Sequence, residues 1–169
     1  MPDIPDLLRL TTKELANLAV IANLERDFEL ATKISAAVSS RKKRARREIT
    51  FCLGEVQPID WLERAHAISK TFQKKTSGKH HLYVVLLDGY IKNSRFGLYV
   101  GESRYTPGNR LKQHFSGVRA SVHVERHGVC LLPDLYEHLN PLSKPEAKEL
   151  EERLADAFRS AGIRTKGGH

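Results

Sequence analysis

The sequence predicts an α+β protein with a helical N-terminal half and a C-terminal half that mixes strands with helices. Three observations lead to this prediction. Apolar residues recur at helical spacing up to about residue 70, and short runs of β-forming residues begin at residue 81. A polar segment near residue 80 separates these two regions. We therefore expect a helical module over residues 1–80 and a second domain over residues 81–169.

Three helices are expected in the N-terminal module. Thr11 followed three residues later by Glu14 is a capping-box pattern, which predicts a helix that ends near Leu24. Apolar residues at helical spacing predict a second helix over residues 28–38. A third helix is predicted to begin after Asp60, because aspartate is a favoured N-cap residue. This module is expected to bind DNA or to dimerise.

The C-terminal domain is predicted to follow the order β-β-α-β-α, with a short tail behind the last helix. The first two strands suit an antiparallel hairpin, because a polar turn separates two runs rich in β-forming residues. The last helix has proline in its first turn, an apolar stripe and a closing glycine. The predicted elements are strand 81–88, strand 96–101, helix 107–117, strand 128–132 and helix 145–161.

The charge balance favours a polyanionic partner. The 169 residues include 28 Lys and Arg against 20 Asp and Glu, which gives a net charge of +8. A positive surface attracts nucleic acid, although a charge of this size also simply keeps a protein soluble. Six of seven consecutive residues are basic, and we interpret them as a phosphate-tracking arm rather than as an ordinary solvated charge block. They are Arg41, Lys42, Lys43, Arg44, Arg46 and Arg47.

Hydropathy and cysteine content exclude several protein classes. No stretch approaches the roughly 18 unbroken apolar residues of a membrane-spanning helix. The N-terminal residues lack the basic and apolar regions of a secretion signal. Cys52 and Cys130 belong to no CxxC pair, and the spacing of His123, His127 and Cys130 matches no standard zinc site. The sequence thus predicts a cytoplasmic protein with neither a disulfide framework nor a structural zinc.

Four short motifs in the C-terminal domain resemble those of the GIY-YIG nuclease superfamily. They are Leu82-Tyr83-Val84, Tyr99-Val100-Gly101, the helical stretch from Arg110 to His114, and the helical stretch from Glu146 to Glu151. Their order, spacing and predicted secondary structure match the family, and the resemblance covers residues 81–169 but not residues 1–80. It implies a small three-stranded antiparallel sheet flanked by helices, and metal-dependent cleavage of phosphodiester bonds in nucleic acid.

The resemblance also implies roles for five residues. Tyr83 and Tyr99 match the tyrosines of the first and second motifs, Arg110 matches the catalytic arginine, and His114 stands where the family has histidine or tyrosine. Glu151 matches the metal-binding glutamate. Taken singly, each residue type is more often structural, since tyrosines on strands pack in cores and charged helix residues face water.

Elementary chemistry gives these residues consistent tasks. A carboxylate such as that of Glu151 can hold one Mg²⁺ or Mn²⁺ together with water molecules. The guanidinium of Arg110 fits two phosphate oxygens, and His114 lies one helical turn further along, on the same face. His114 would accept a proton or position water, Tyr83 would orient or deprotonate the attacking water, and Tyr99 would hydrogen-bond the phosphate or that water.

The sequence departs from the family pattern at three places. His81-Leu82 replaces the usual Gly-Ile of the first motif, and Glu102 stands where several relatives carry lysine. Glu102 would repel phosphate or act as a second metal ligand, and Arg104 or Lys112 would then supply the missing positive charge. The terminal Gly-Gly-His, with His169, would either reach the site or fray.

These observations predict a DNA endonuclease, and two other classes stay open. One is a non-catalytic DNA-binding protein that keeps the scaffold. The other is a helical protein-interaction module, with a homodimer built on apolar residues of the N-terminal half. The apolar residues that would form that dimer are Leu7, Leu8, Leu15 and Leu18.

Overall fold

The computed structural model describes residues 4–91 and 94–168, which divide into two compact units. The first unit ends at Leu62 and the second begins at Glu63. The sequence placed this division near residue 80, after the third predicted helix. The structure places that helix with the second unit, where Ser69 Oγ donates a hydrogen bond of 2.6 Å to Leu135 O. This long-range contact has no signature in local sequence patterns.

The first unit contains four helices, α1 (Ile4–Arg9), α2 (Thr12–Glu25), α3 (Phe28–Val38) and α4 (Lys43–Leu53). The capping box is confirmed, because Thr11 Oγ1 accepts from Glu14 N and Glu14 Oε2 accepts from Thr11 N. Its core consists mainly of aliphatic residues from these helices. Leu7 and Leu15 are fully buried within the chain, so neither can contribute to an exposed dimer face.

Helix α4 begins inside the basic run and was not predicted. The six basic residues of the run precede or open it, and no acidic residue lies in its first turn. Only Ile49 and Leu53 of this helix are buried, so its sequence lacks a broad apolar stripe. Tertiary packing of α4 against α2 therefore supplies the stability that the local sequence does not.

The second unit contains a four-stranded mixed sheet covered by helices. Its strands are β1 (His81–Ile91), β2 (Ser94–Ser103), β3 (Gly128–Leu131) and β4 (Thr165–Gly167), in the spatial order β3-β1-β2-β4. Strand β1 pairs antiparallel with both β2 and β3, and β4 pairs parallel with β2. The helices are α5 (Leu62–Lys70), α6 (Pro107–Phe115), α7 (Val122–His127) and α8 (Lys144–Ser160), with short 3-10 helices at Pro133–Leu135 and Glu137–Leu139.

The predicted three-stranded antiparallel sheet is wrong, because the C-terminal tail adds a parallel fourth strand. Strand β4 has three residues and no apolar alternation, so the sequence carries no strand signal there. Its position depends on glycine. Gly167 has a φ of 85° and lies opposite Val100, and a Cβ atom at residue 167 would come within 1.7 Å of Val100 O. The chain thus remains α+β, with a mixed sheet.

Two polar anchors fix the start of β1 and the segment before it. The side chain of Asn140 pairs with Leu82 as a strand would, since Nδ2 donates to Leu82 O and Oδ1 accepts from Leu82 N, each at 2.8 Å. Glu146, the first residue of the fourth motif, accepts from the backbone N–H groups of Lys75 and Thr76. Glu146 therefore holds the segment that leads into the sheet.

No helix of the described residues is both long enough and apolar enough to span a membrane.

The close approach of β4 to β2 gives a stability prediction. Gly167→Ala is expected to lower the free energy of unfolding by about 3 kcal/mol, because the new Cβ meets the Val100 carbonyl at a positive φ. Urea unfolding measures the change. Gly108→Ala is the matched control, since a Cβ there meets nothing within 4 Å and the change should stay below about 1 kcal/mol. Equal stability of Gly167→Ala and the unmodified chain would contradict the prediction.

Candidate active site

The register of β1 and β2 brings the two motif tyrosines onto one face of the sheet. Tyr83 lies directly opposite Gly101, and Tyr99 precedes Gly101 by two residues on the same strand. Because side chains alternate between faces along a strand, Tyr83, Tyr99 and position 101 share a face. Tyr83 is 1% exposed and Tyr99 is 9% exposed, so both rings lie next to each other in the interior.

Gly101 leaves the space that the two rings occupy. A Cβ atom at this position would lie 2.5 Å from Tyr83 Cζ and Oη, and 2.9 Å from Tyr99 Cε1. These separations are shorter than any van der Waals contact, so even alanine would displace both rings. The glycine of the second motif is therefore a steric requirement of the tyrosine pair.

His114 completes a group of three rings, which we name the tyrosine–histidine cluster (Tyr83, Tyr99 and His114). The ring centroids lie 6.0 Å apart for Tyr83 and Tyr99, 5.8 Å for Tyr83 and His114, and 5.9 Å for Tyr99 and His114. His114 is completely buried on α6, and its Nε2 lies 2.9 Å from Tyr83 Oη. Residues from β1, β2 and α6 thus meet at one place.

A backbone group determines which nitrogen of His114 carries the proton. The N–H of Ser121, at the start of α7, donates to His114 Nδ1 at 2.9 Å. Nδ1 must therefore present its lone pair, so the proton of the neutral ring lies on Nε2. His114 consequently donates to Tyr83 Oη, and the Tyr83 hydroxyl proton points to a further acceptor. In this state His114 orients Tyr83 and does not accept a proton from it.

The surroundings keep both partners of this hydrogen bond neutral. Burial and, secondarily, the positive charge of Arg110 lower the pKa of His114 to about 4. Burial also raises the pKa of Tyr83, and Tyr99 adds to this effect, whereas Arg110 opposes it. Near neutral pH the cluster is thus an uncharged hydrogen-bonded chain beside a permanent cation.

Arg110 is held rigidly next to the cluster. Its Nη1 donates to Gln113 Oε1 at 3.0 Å, and its Nη2 donates to Arg119 O at 2.9 Å. These bonds use two of the five guanidinium N–H groups and fix the plane of the fork. The charge of Arg110 also lowers the pKa of Tyr83 against the larger effect of burial. The arrangement holds a cation in a fixed position beside the end of α6.

Glu151 contacts the residue that follows the C-terminal strand. It lies on α8 with 9% exposure, and its Oε1 accepts from Gly168 N at 3.3 Å. Gly168 follows Gly167, which pairs with Val100, the residue between Tyr99 and Gly101. The parallel pairing of β4 therefore connects the carboxylate of Glu151 to the strand that carries the second motif. The sequence analysis left open whether the terminal glycines reach the site or fray, and did not predict the strand that places Gly168 beside Glu151.

The donor set around Glu151 suits a single hydrated hard cation. It consists of one carboxylate on a helix, without histidine or thiolate among the predicted ligands, and Mg²⁺ retains most of its water when it binds such a group. Burial of a carboxylate among the apolar residues of α8 is costly unless hydrogen bonds or a cation compensate it. A single carboxylate of this kind, held by the N–H of Gly168, is compatible with one hydrated Mg²⁺ or Mn²⁺ ion.

The other predicted binding residues of the second unit have different environments. Arg104 is exposed, and its Nη2 donates to Tyr105 Oη at 2.8 Å. Lys112 is exposed on α6. Glu102 Oε2 lies 2.8 Å from His80 Nδ1, so its charge faces a histidine. The predicted role of His169 lies outside the described residues.

The basic run lies in the first unit and divides into two parts. Arg41 Nη2 donates to the carbonyl groups of Leu8 and Leu10, so Arg41 holds the chain at the end of α1. The remaining basic side chains of the run are exposed on or just before α4. They are Lys42, Lys43, Arg44, Arg46 and Arg47.

Sequence reasoning missed the groups that position the motif residues. Gln113 and the carbonyl of Arg119 orient Arg110, and the backbone of Ser121 sets the proton of His114. A backbone donor has no residue-type signature, so no pattern would have revealed Ser121. Gln113 was detectable in principle, because it lies three residues after Arg110 on one helix face.

In comparisons with known proteins, no family profile, no curated protein and no solved structure matches the chain.

The neutral state of His114 gives a prediction for pH dependence. Because its pKa in the folded protein lies below that of an ordinary histidine, the unfolded chain binds the extra proton between about pH 6.5 and 4. The free energy of unfolding should therefore fall as the pH drops through this window, by an amount on the order of 3 kcal/mol for this group. Urea unfolding at several pH values measures it.

The matched variant is His114→Gln, which retains an N–H donor but does not titrate. The difference between the unfolding free energies of the two proteins should change with pH, since other titrating groups cancel in the comparison. If the unfolding free energies of the two proteins change with pH in parallel, the prediction that His114 is neutral in the folded protein is wrong.

Proposed function

We propose that the second unit is the catalytic domain of a metal-dependent endonuclease that hydrolyses phosphodiester bonds in DNA. The observation that supports this proposal is the convergence of Tyr83, Tyr99 and His114, from three elements, beside the fixed guanidinium of Arg110. An ordinary core would not gather hydroxyl, imidazole and guanidinium groups at one place, because each is costly to bury. Phosphodiester hydrolysis needs such groups together.

Arg110 has the task of stabilising negative charge. Two of its N–H groups are occupied by Gln113 and Arg119, which leaves the others for a phosphate. A phosphate oxygen placed there would gain charge as the transition state forms, and a guanidinium fixed in advance needs no reorganisation. Arg104 and Lys112, which are exposed, would contact neighbouring phosphates.

Tyr83 has the task of orienting the attacking water or the phosphate. His114 Nε2–H donates to its oxygen, which leaves the Tyr83 hydroxyl proton for a substrate oxygen. The raised pKa of Tyr83 favours this donor role over loss of the proton near neutral pH. Tyr99, whose ring packs against both partners, would donate to the same phosphate or water.

Glu151 would hold the divalent metal. When bound, Mg²⁺ would act as a Lewis acid on the phosphate and on the leaving oxygen. The contribution of the chain is the fixed position of the carboxylate, which α8 and Gly168 N–H together determine. One such site cuts one strand, so cleavage of both strands of a duplex would require two visits or two copies of the chain.

The metal role of Glu151 is tested with Glu151→Gln. Loss of the carboxylate charge should abolish Mg²⁺-dependent cleavage of plasmid, single-stranded and branched DNA, while binding measured by gel shift should persist. Glu152→Gln is the matched control, because Glu152 is an exposed neighbour on the same helix, and it should cleave normally. Cleavage by Glu151→Gln at the unmodified rate would overturn the metal assignment, and absence of cleavage by the unmodified chain would favour a non-catalytic DNA-binding protein.

The role of Arg110 is tested with Arg110→Ala in single-turnover cleavage. The rate should fall on the order of 10²-fold, as expected when a charge-stabilising donor is lost. Arg153→Ala is the control, since Arg153 is exposed on α8 and pairs with Glu149, and its rate should stay within about twofold. A rate loss of similar size in both variants would indicate a general electrostatic effect instead of a role at the reacting phosphate.

A further inference from the structure

Helix α4 presents a face that carries two arginines and one phenylalanine. Arg44, Arg47 and Phe51 follow one another at intervals of three and four residues, so they line one stripe of the helix over about 10 Å. The buried residues Ile49 and Leu53 lie on the opposite side of the helix. The stripe, which we name the Arg44–Phe51 stripe (Arg44, Arg47 and Phe51), therefore points away from the core of its unit.

Phe51 is unusually exposed for its type. It is 87% exposed, the highest value among the large apolar side chains of the described residues. Aromatic side chains normally contribute strongly to a core because they remove so much apolar surface from water. Phe51 buries almost no apolar surface in the folded chain, so its ring faces stay available to a binding partner.

The basic residues around this ring do not stabilise the helix either. Lys42, Lys43, Arg44, Arg46 and Arg47 lie at the N-terminal end of α4, where the helix dipole disfavours positive charge. Within residues 4–91 and 94–168, none of the five forms an ion pair. Their mutual repulsion and the dipole both oppose folding, and an anionic partner would relieve both.

We propose that the Arg44–Phe51 stripe binds single-stranded DNA, with Arg44 and Arg47 on phosphates and Phe51 stacked on an unpaired base. This inference rests on the proposed function, because it assigns the strand form of the DNA that the chain acts on. Base stacking on an exposed aromatic ring beside a basic track is the general mode of single-strand recognition. In a duplex the base faces are already stacked, so Phe51 would have no face to contact.

The charge of the stripe argues against a second copy of the chain as its partner. A symmetric dimer through this face would place the same arginines of both copies close together, and Glu48 is the one acidic residue of the helix that could offset them. Single-stranded DNA supplies both complementary features, a phosphate chain and accessible base faces. Double-stranded DNA supplies the first feature alone.

The experiment compares binding of a labelled 20-nucleotide strand of thymidines with binding of a duplex of about the same length. The full chain is used, with divalent metal removed by a chelator, and fluorescence anisotropy gives the dissociation constants. Phe51→Ala should weaken single-strand binding about tenfold and change duplex binding less than about twofold. Leu24→Ala is the control, because Leu24 is 77% exposed on α2, whose last turn contains no basic residue. It should leave both constants unchanged.

Two further variants separate stacking from charge and from general apolar contact. The double variant Arg44→Ala/Arg47→Ala should weaken binding of both DNA forms and reduce the slope of log K against log salt for the single strand by about 1.4. Phe51→Ala should leave that slope unchanged. Phe51→Leu keeps apolar area but loses the ring, so it should bind the single strand as weakly as Phe51→Ala does. Phe51→Trp keeps an aromatic ring, so it should bind the single strand as the unmodified chain does, and its tryptophan emission should be quenched on binding.

Three results would overturn the proposal. The first is single-strand binding by Phe51→Ala within twofold of the unmodified chain. The second is that Phe51→Ala loses as much affinity for the duplex as for the single strand. The third is that Phe51→Leu binds the single strand as tightly as the unmodified chain. Because no metal is present, these measurements do not depend on cleavage. Failure of the Glu151 assignment would leave these binding constants unaffected, so failure of the proposed activity can be told apart from failure of the proposed single-strand binding.

Discussion

The hydrogen bond between Tyr83 Oη and His114 Nε2 is the contact on which the geometry of the candidate site depends. It exists because three unrelated requirements are met together. The β1–β2 register places Tyr83 opposite Gly101, the missing side chain at residue 101 leaves room for the ring, and Ser121 N–H directs the proton of His114 towards Tyr83. A change in any of them moves the Tyr83 hydroxyl.

The electrostatics of the site follow from burial. A charged imidazole next to Arg110 in a poorly solvated interior would raise the energy of the folded chain, so His114 stays neutral and Arg110 supplies the positive charge. The site therefore combines one permanent cation with neutral hydroxyl and imidazole donors. Under the proposed function, such a combination would attract a phosphate diester, because the cluster's own side chains include no competing anion.

Local patterns in the sequence predict the elements that depend on local interactions. The capping box of α2 and the apolar stripe of α8 are both found in the structure, since each depends on neighbouring residues. The motif residues Tyr83, Tyr99, Arg110 and His114 are also brought together. The metal role of Glu151 and the activity itself stay predictions.

What the sequence does not predict depends on contacts between distant residues. Strand β4 lacks apolar alternation and exists because Gly167 fits against Val100. Helix α5 lies with the second unit because of contacts such as that of Ser69 with Leu135. The role of Ser121 comes from its backbone, which every residue type shares. Contacts between residues far apart in sequence, and hydrogen bonds from backbone N–H groups, cannot be predicted from a local residue pattern.

The parallel pairing of β4 has a consequence for the order in which the site assembles. Strands β1 and β2 are adjacent in sequence and can form a hairpin early, whereas β4 must close a loop of about 65 residues before it reaches Val100. The tyrosine face thus forms from local contacts, and the carboxylate of Glu151 gains its Gly168 contact only at the most distant pairing of the sheet. An incompletely folded chain would hold the tyrosines without the Gly168 contact of Glu151, so the proposed site would be complete only when folding is complete.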